Sequence, residues 1–155
     1  MDLTNFLKTG TYLKLKVGLS EENIYSCFKK KDLSKKYYYN KLDKNEGFSY
    51  FYGDGALEIM VIDSKIYSLQ FDPARYPYIL TLFNNIIISH KTSFELIIKY
   101  LDIADIKWSF YQKYCHSREL TIKTEENIFI GCVYDKGDYK LSKFQVFEDL
   151  YNGFF

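Results

Sequence analysis

KIYSLQF occupies Lys65–Phe71 and KLSKFQV occupies Lys140–Val146. Both read Lys, apolar, two variable residues, apolar, Gln, apolar, and the second begins 75 positions after the first. Read with period two, each is a β-strand with one apolar face. A core demands the apolar positions but not the matched lysines and glutamines, so the shared pattern indicates an internal repeat.

The flanking segments extend it. In the first half, TYLKLKVG alternates Leu13, Leu15 and Val17 with Lys14 and Lys16, the pattern of a half-buried strand. GLSEENIYSCFKK then starts a helix, with Ser20 as N-cap and Glu21 and Glu22 at the positive end of the dipole. Leu19 and Ile24 fall at hydrophobic-staple positions. FSYFY, the turn GDG, ALEIMVI, the turn DS and KIYSLQF complete a meander. In the second half NIIISH is a strand, and KTSFELIIKYLD a helix with Phe94, Ile97, Ile98 and Leu101 on one face, capped by Thr92 or Ser93. IKWSFYQKY, RELTIKT, NIFIGCVYD, the longer turn KGD and YKLSKFQV follow as strands. Ser20 and Ser93 lie 73 apart, and Asp63 and Asp135 lie 72 apart, so the halves align in order with small drifts at turns.

The expected fold is α+β: two tandem units of strand, helix and antiparallel meander, forming one curved sheet with helices on one face. The first repeat spans 1–72, a connector 73–83 holds both prolines, and the second repeat spans 84–155, all in one compact unit. Alternation assigns Leu57, Ile59, Val61, Leu69, Phe71, Leu120, Ile122, Phe129, Val133, Phe144 and Val146 to the core. It directs Ser68, Gln70, Tyr111, Thr121, Lys123, Lys143 and Gln145 outward. Trp108, between Ile106 and Phe110, is expected to be largely buried.

Composition narrows function by exclusion. A formal charge of +1 gives no global field for nucleic acid or an anionic membrane. The three cysteines, Cys27, Cys115 and Cys132, are odd in number and contain no CxxC, which speaks against a disulfide framework or zinc site. Cys27 and Cys132 read as buried thiols of a reducing compartment. MDLTNFLKTG is not a signal peptide, and no apolar run approaches the ~18 residues a membrane span needs. HExxH, GxSxG, P-loop and GxGxxG motifs are all missing. Cys115 and His116 are neighbours, and neighbours on a strand point to opposite faces, so no thiolate–imidazole pair is expected. Neither a catalytic residue, a metal nor a cofactor is assigned.

Aromatic residues reach 19%, which fits either the codon bias of a Lys-, Ile- and Asn-rich chain or an aromatic binding surface. KKKDLSKKYYYNKLDK mixes lysines with Tyr37, Tyr38 and Tyr39, as single-strand binders do. Asp32 and Asp43 interrupt it and it has no arginine, so a solvated loop is the simpler reading and nucleic acid a less favoured partner.

VGLSEENI opening a helix, followed by YGDGALEIMVIDSKIYSLQFD, resembles small bacterial proteins found beside polymorphic toxins. The plan is also similar to the tandem-repeat β-lactamase inhibitor protein and the BamE-like lipoprotein fold. The resemblance covers about residues 11–147; it departs from both in lacking a leader and from the inhibitor in lacking paired cysteines. It implies a cytoplasmic immunity protein that binds and neutralises a cognate toxin domain. The alternative is a non-enzymatic regulatory or adaptor module that forms homo-oligomers. Candidate contact residues are Gln70, Tyr111, Lys143 and Gln145 on the sheet face, rimmed by Tyr37, Tyr38 and Tyr39. The competing site is the acidic hairpin around Glu125, Glu126 and Asp135.

Overall fold

A computed structural model describes residues 1–148. It is a mixed α+β structure dominated by one antiparallel sheet of eight strands. In chain order the elements are α1 (Thr4–Thr9), α2 (Glu22–Cys27), β1 (Tyr37–Tyr38), β2 (Phe48–Tyr52), β3 (Leu57–Ile62) and β4 (Lys65–Phe71). There follow β5 (Leu80–Leu82), β6 (Ile86–Ile88), α3 (Phe94–Ile103), β7 (Trp108–Phe110), β8 (Glu119–Thr124), β9 (Phe129–Asp135) and β10 (Asp138–Phe147). The spatial order is β1-β2-β3-β4-β10-β9-β8-β7, and β5 and β6 form a separate ribbon.

The two opening heptapeptides lie side by side at the centre. β4 and β10 run antiparallel with Gln70 opposite Gln145, Phe71 opposite Phe144 and Leu69 opposite Val146. Both lysines sit at matching junctions. Lys65 bridges to Ser20 just before α2, and Lys140 bridges to Ser93 just before α3. The next residue in each strand donates to the chain preceding its helix: Ile66 N–H to the Leu19 carbonyl and Leu141 N–H to the Thr92 carbonyl, both 2.8 Å.

One face of the sheet is a continuous apolar layer. A cross-strand row runs Phe110, Ile122, Ile130, Phe144, Phe71, Leu57 and Tyr52. Phe71 and Phe144 are fully buried, as are Ile122, Ile130 and Leu57. The helices contribute to the same cluster: Phe6 of α1 meets Phe71 edge-on at 4.9 Å, and Phe94 of α3 meets Trp108 and Phe110 at 6.3 and 6.0 Å. Ile24 of α2 and Ile97 and Leu101 of α3 complete it. The Ser93 hydroxyl caps α3 by accepting from Leu96 N–H, while Thr92 accepts from Ser89 N–H.

Several sequence expectations are corrected. TYLKLKVG is not a strand: Leu13 has φ 54° and is exposed, and Tyr12 and Leu15 exchange backbone hydrogen bonds across a tight turn. The buried residues there are Tyr12 and Leu15, a spacing of three that alternation misreads. The second hairpin turn is no longer than the first. Asp63–Ser64 and Lys136–Gly137 are both two-residue turns with positive φ throughout, the geometry that suits strand twist. The extra residues lie instead in the longer arms of the second hairpin, where the pairs Tyr134–Tyr139 and Asp135–Asp138 continue past Val133–Lys140, whereas Ile62–Lys65 closes the first. β4 and β10 carry matching bulges, between Ile66 and Ser68 and between Leu141 and Lys143.

Phe129 and Val133 are absent from the core face; Ile130 and Cys132 take that side, and Val133 is exposed. In NIFIGCVYD both alternating sets are apolar, so period two alone does not choose a face. Leu120 is half-buried, as is Cys27. Cys132 is buried, which pushes its thiol up to about 12. Trp108 is half-buried, because β7 is an edge strand with a neighbour on one side only. The N-terminus, read only for targeting, supplies Leu3, Phe6 and Leu7 to the core and pairs with Thr81 of β5.

Truncating the central ring should therefore cost more than truncating the tryptophan. Phe144→Ala is expected to lose about 3–5 kcal/mol in urea unfolding and Trp108→Ala clearly less. Equal losses would place the weight of the core elsewhere.

Candidate functional site

The opposite face of the sheet is built by the other half of each alternation. A second cross-strand row runs Lys123, Phe129, Gln145, Gln70, Glu58 and Phe51. A third runs Phe147, Ser68, Met60, Ser49 and Tyr37. Over their junction lies a groove of about 380 Å³, to which α1, α2 and α3 contribute no residue. Met60, Tyr67, Phe147 and Tyr114 form its apolar walls, and Ser68, Gln145, Gly131 and Thr121 its floor. Lys143, His116 and Glu119 supply its charged or titratable groups.

An aromatic cluster supports one side. Phe129 stacks on Phe147 at 4.7 Å and meets Tyr111 edge-on at 5.0 Å. Tyr114 packs on Tyr111 and Phe129 at 5.0 and 5.8 Å. Lys123 lies 5.5 Å above both the Tyr111 and Phe129 rings, a cation–π arrangement that covers the cluster. Phe129 is thus buried without belonging to the main core. Its apolar type at a position facing away from the helices was the available signal, but the competing Ile130 set concealed it.

Gln70, Gln145, Lys143 and Tyr111 all lie on or beside this face, with Gln145 and Lys143 in the groove itself. The tyrosine run divides. Tyr37, opposite Ser49, and Tyr39 point to the groove side, at the far edge of the sheet; Tyr38, opposite Phe48, packs on that ring at 5.6 Å on the core side. Tyr39 is fastened through its hydroxyl, which contacts Ser49 and donates to Glu58 at 3.1 Å. Ser49, fully buried, donates to the same carboxylate oxygen at 2.6 Å. Burial, together with the nearby Glu58 charge, pushes the Tyr39 phenol up to about 12.

The acidic hairpin does not exist as one site. Glu125 and Glu126 are exposed in the turn between β8 and β9, whereas Asp135 ends β9. Seven residues of strand, about 20 Å, separate the two ends. Asp138 beyond it is neutralised by Lys140 at 2.9 Å, the hydrogen bond that holds its carboxyl below the usual range.

Cys115 is tied into the backbone: its thiol lies 3.4 Å from the Tyr111 carbonyl and 3.4 Å from Thr121 N–H. His116 faces Glu119 across a tight turn through mutual backbone hydrogen bonds. Among the described residues no three His, Cys, Asp or Glu side chains converge as metal ligands, and no helix is long and apolar enough to cross a membrane. Comparison with family models, curated proteins and solved structures yields no match for this chain.

The Tyr39 anchor is testable. Tyr39→Phe should destabilise by about 0.5–1.5 kcal/mol at pH 7, the worth of one hydrogen bond. A phenol whose folded pKa is raised favours the fold below its unfolded value near 10, and that contribution is lost as pH rises towards about 12. Between those limits the wild type should lose stability faster than Tyr39→Phe. Parallel stability curves would show that Tyr39 is not held in this environment.

Proposed function

We propose that this protein is a cytoplasmic immunity protein, which binds and neutralises a cognate toxin enzyme through the face of its sheet that carries the groove. The observation that carries the reading is the build of that face. It combines half-buried polar groups with an aromatic cluster that the core does not need, around a groove to which no α-helix contributes. Aromatic anchors within a polar, wet surround are what specific protein contacts use. A standard interface takes about 800 Å² from each partner, and the broad face of an eight-stranded sheet is the largest surface here.

The same proposal takes the architecture as two tandem repeats with helices on one face. The register supports it: the residues equated by the 75-residue offset, Gln70 and Gln145, are direct partners at the sheet centre. The matching Ser20–Lys65 and Ser93–Lys140 bridges support it further. A local two-fold axis between β4 and β10 would relate the halves. On this reading the protein acts by occlusion, without catalysis, metal or cofactor.

The test uses the toxin domain encoded beside the gene. It should bind with nanomolar or tighter affinity, and Tyr111→Ala and Gln145→Ala should each weaken binding at least about tenfold. Unchanged affinity in both variants, with binding abolished by Glu125→Lys and Glu126→Lys, would move the site to the β8–β9 turn. A neighbouring toxin domain that does not bind at all would overturn the immunity reading.

A further inference from the structure

The groove and the strand beside it carry polar groups that the protein itself leaves unused: Gln145 and Lys143 line the groove, and Gln70 lies next to it. Gln70 and Gln145 are half-buried and directly opposite each other, yet neither carboxamide has a hydrogen-bond partner among the described residues. Lys143 is exposed and has no ion pair among them. Its stem lies across Gly131, where a Cβ would come within 3.4 Å of Lys143 Cγ. An alanine Cβ there would rest in ordinary van der Waals contact with that stem. Lys123, on the same face, is already placed over two rings.

We propose, building on the reading of this face as the partner-binding surface, that the groove receives an extended segment of the partner carrying one carboxylate and one aromatic or aliphatic side chain. A carboxamide offers a donor and an acceptor, the complement of a peptide group, so Gln145 in the groove takes the segment's backbone, which Gln70 beside it meets where the segment leaves the groove. The unpaired Lys143 takes the carboxylate by charge complementarity. In an extended segment residues i and i+2 share a face, which places the apolar side chain one step along, against Tyr114 and Phe147. Glu119 lines the same groove and disfavours a second carboxylate. His116 stands beside it.

The probes are two blocked tripeptides, acetyl-Glu-Thr-Phe-amide and acetyl-Lys-Thr-Phe-amide, titrated into the ¹⁵N-labelled full chain. The glutamyl peptide should shift the amides of residues 129–131 and 143–147, with an affinity about tenfold above that of the lysyl peptide. Lys143→Glu should reverse the preference, Gln145→Ala should weaken both peptides about threefold or more, and Lys99→Glu, on α3, should change neither. Equal affinities, no reversal in Lys143→Glu, shifts confined to other residues, or no shift at about 10 mM peptide would each overturn the proposal. A toxin domain that binds wild type and Lys143→Glu equally would also overturn it, while leaving the immunity reading intact. A peptide preference with a toxin domain that does not bind would do the reverse, supporting the groove chemistry and removing the immunity reading.

Discussion

Everything in this molecule depends on the pairing of β4 with β10. Without it there are two four-stranded sheets, each with an open edge at its longest strand. With it, Phe71 and Phe144 face each other within one apolar row that crosses seven strands, and the helices have a common layer to cover. The burial of those two rings, with Leu69 and Val146 beside them, is what makes the eight strands one sheet. The lysine bridges at Ser20 and Ser93 then fix where each helix begins relative to that centre.

The same pairing creates the groove face. Beyond the bulges, the core residues of β4 and β10 alternate with residues that point away, so Gln70 and Gln145 meet because Leu69, Phe71, Phe144 and Val146 do. The aromatic cluster around Phe129 adds a second, smaller apolar body on that side. It stiffens the β8–β9–β10 meander where a bulge interrupts the ladder, and it gives the groove its wall. Tyr39, Ser49 and Glu58 do the corresponding work on the far side with hydrogen bonds in place of rings.

The meander strands, α3 and the outward side chains of β4 and β10 were legible because their patterns are periodic and one-sided. The C-terminal halves of KIYSLQF and YKLSKFQV each have one apolar face, Leu69 with Phe71 and Phe144 with Val146, while a bulge that the pattern does not show brings Ile66 and Leu141 to the same side. The failures have physical causes of three kinds. TYLKLKVG alternates in charge, but a left-handed Leu13, which sequence gives no reason to expect, turns the chain back on itself. NIFIGCVYD has two apolar faces, so Phe129 and Ile130 were interchanged. Glu125 and Asp135 look adjacent in a hairpin diagram, yet a strand's length separates them. The groove itself was not legible. It needs the bulge in β10 and the turn that returns Tyr114 over Phe129, and neither leaves a periodic trace.

The central pair also sets a clock on the ribosome. KIYSLQF is synthesised some 75 residues before the strand that covers its open edge. At about 5–20 residues per second the nascent chain waits roughly 4–15 s with that edge unpaired. During this interval a β-rich, low-charge segment is available to any other strand, including the same segment on a neighbouring chain of a polysome. Lys65 at its start is the one charge placed to discourage such pairing. For this fold, vulnerability to misassembly is concentrated in the time between the two halves of a single hydrogen-bonded ladder.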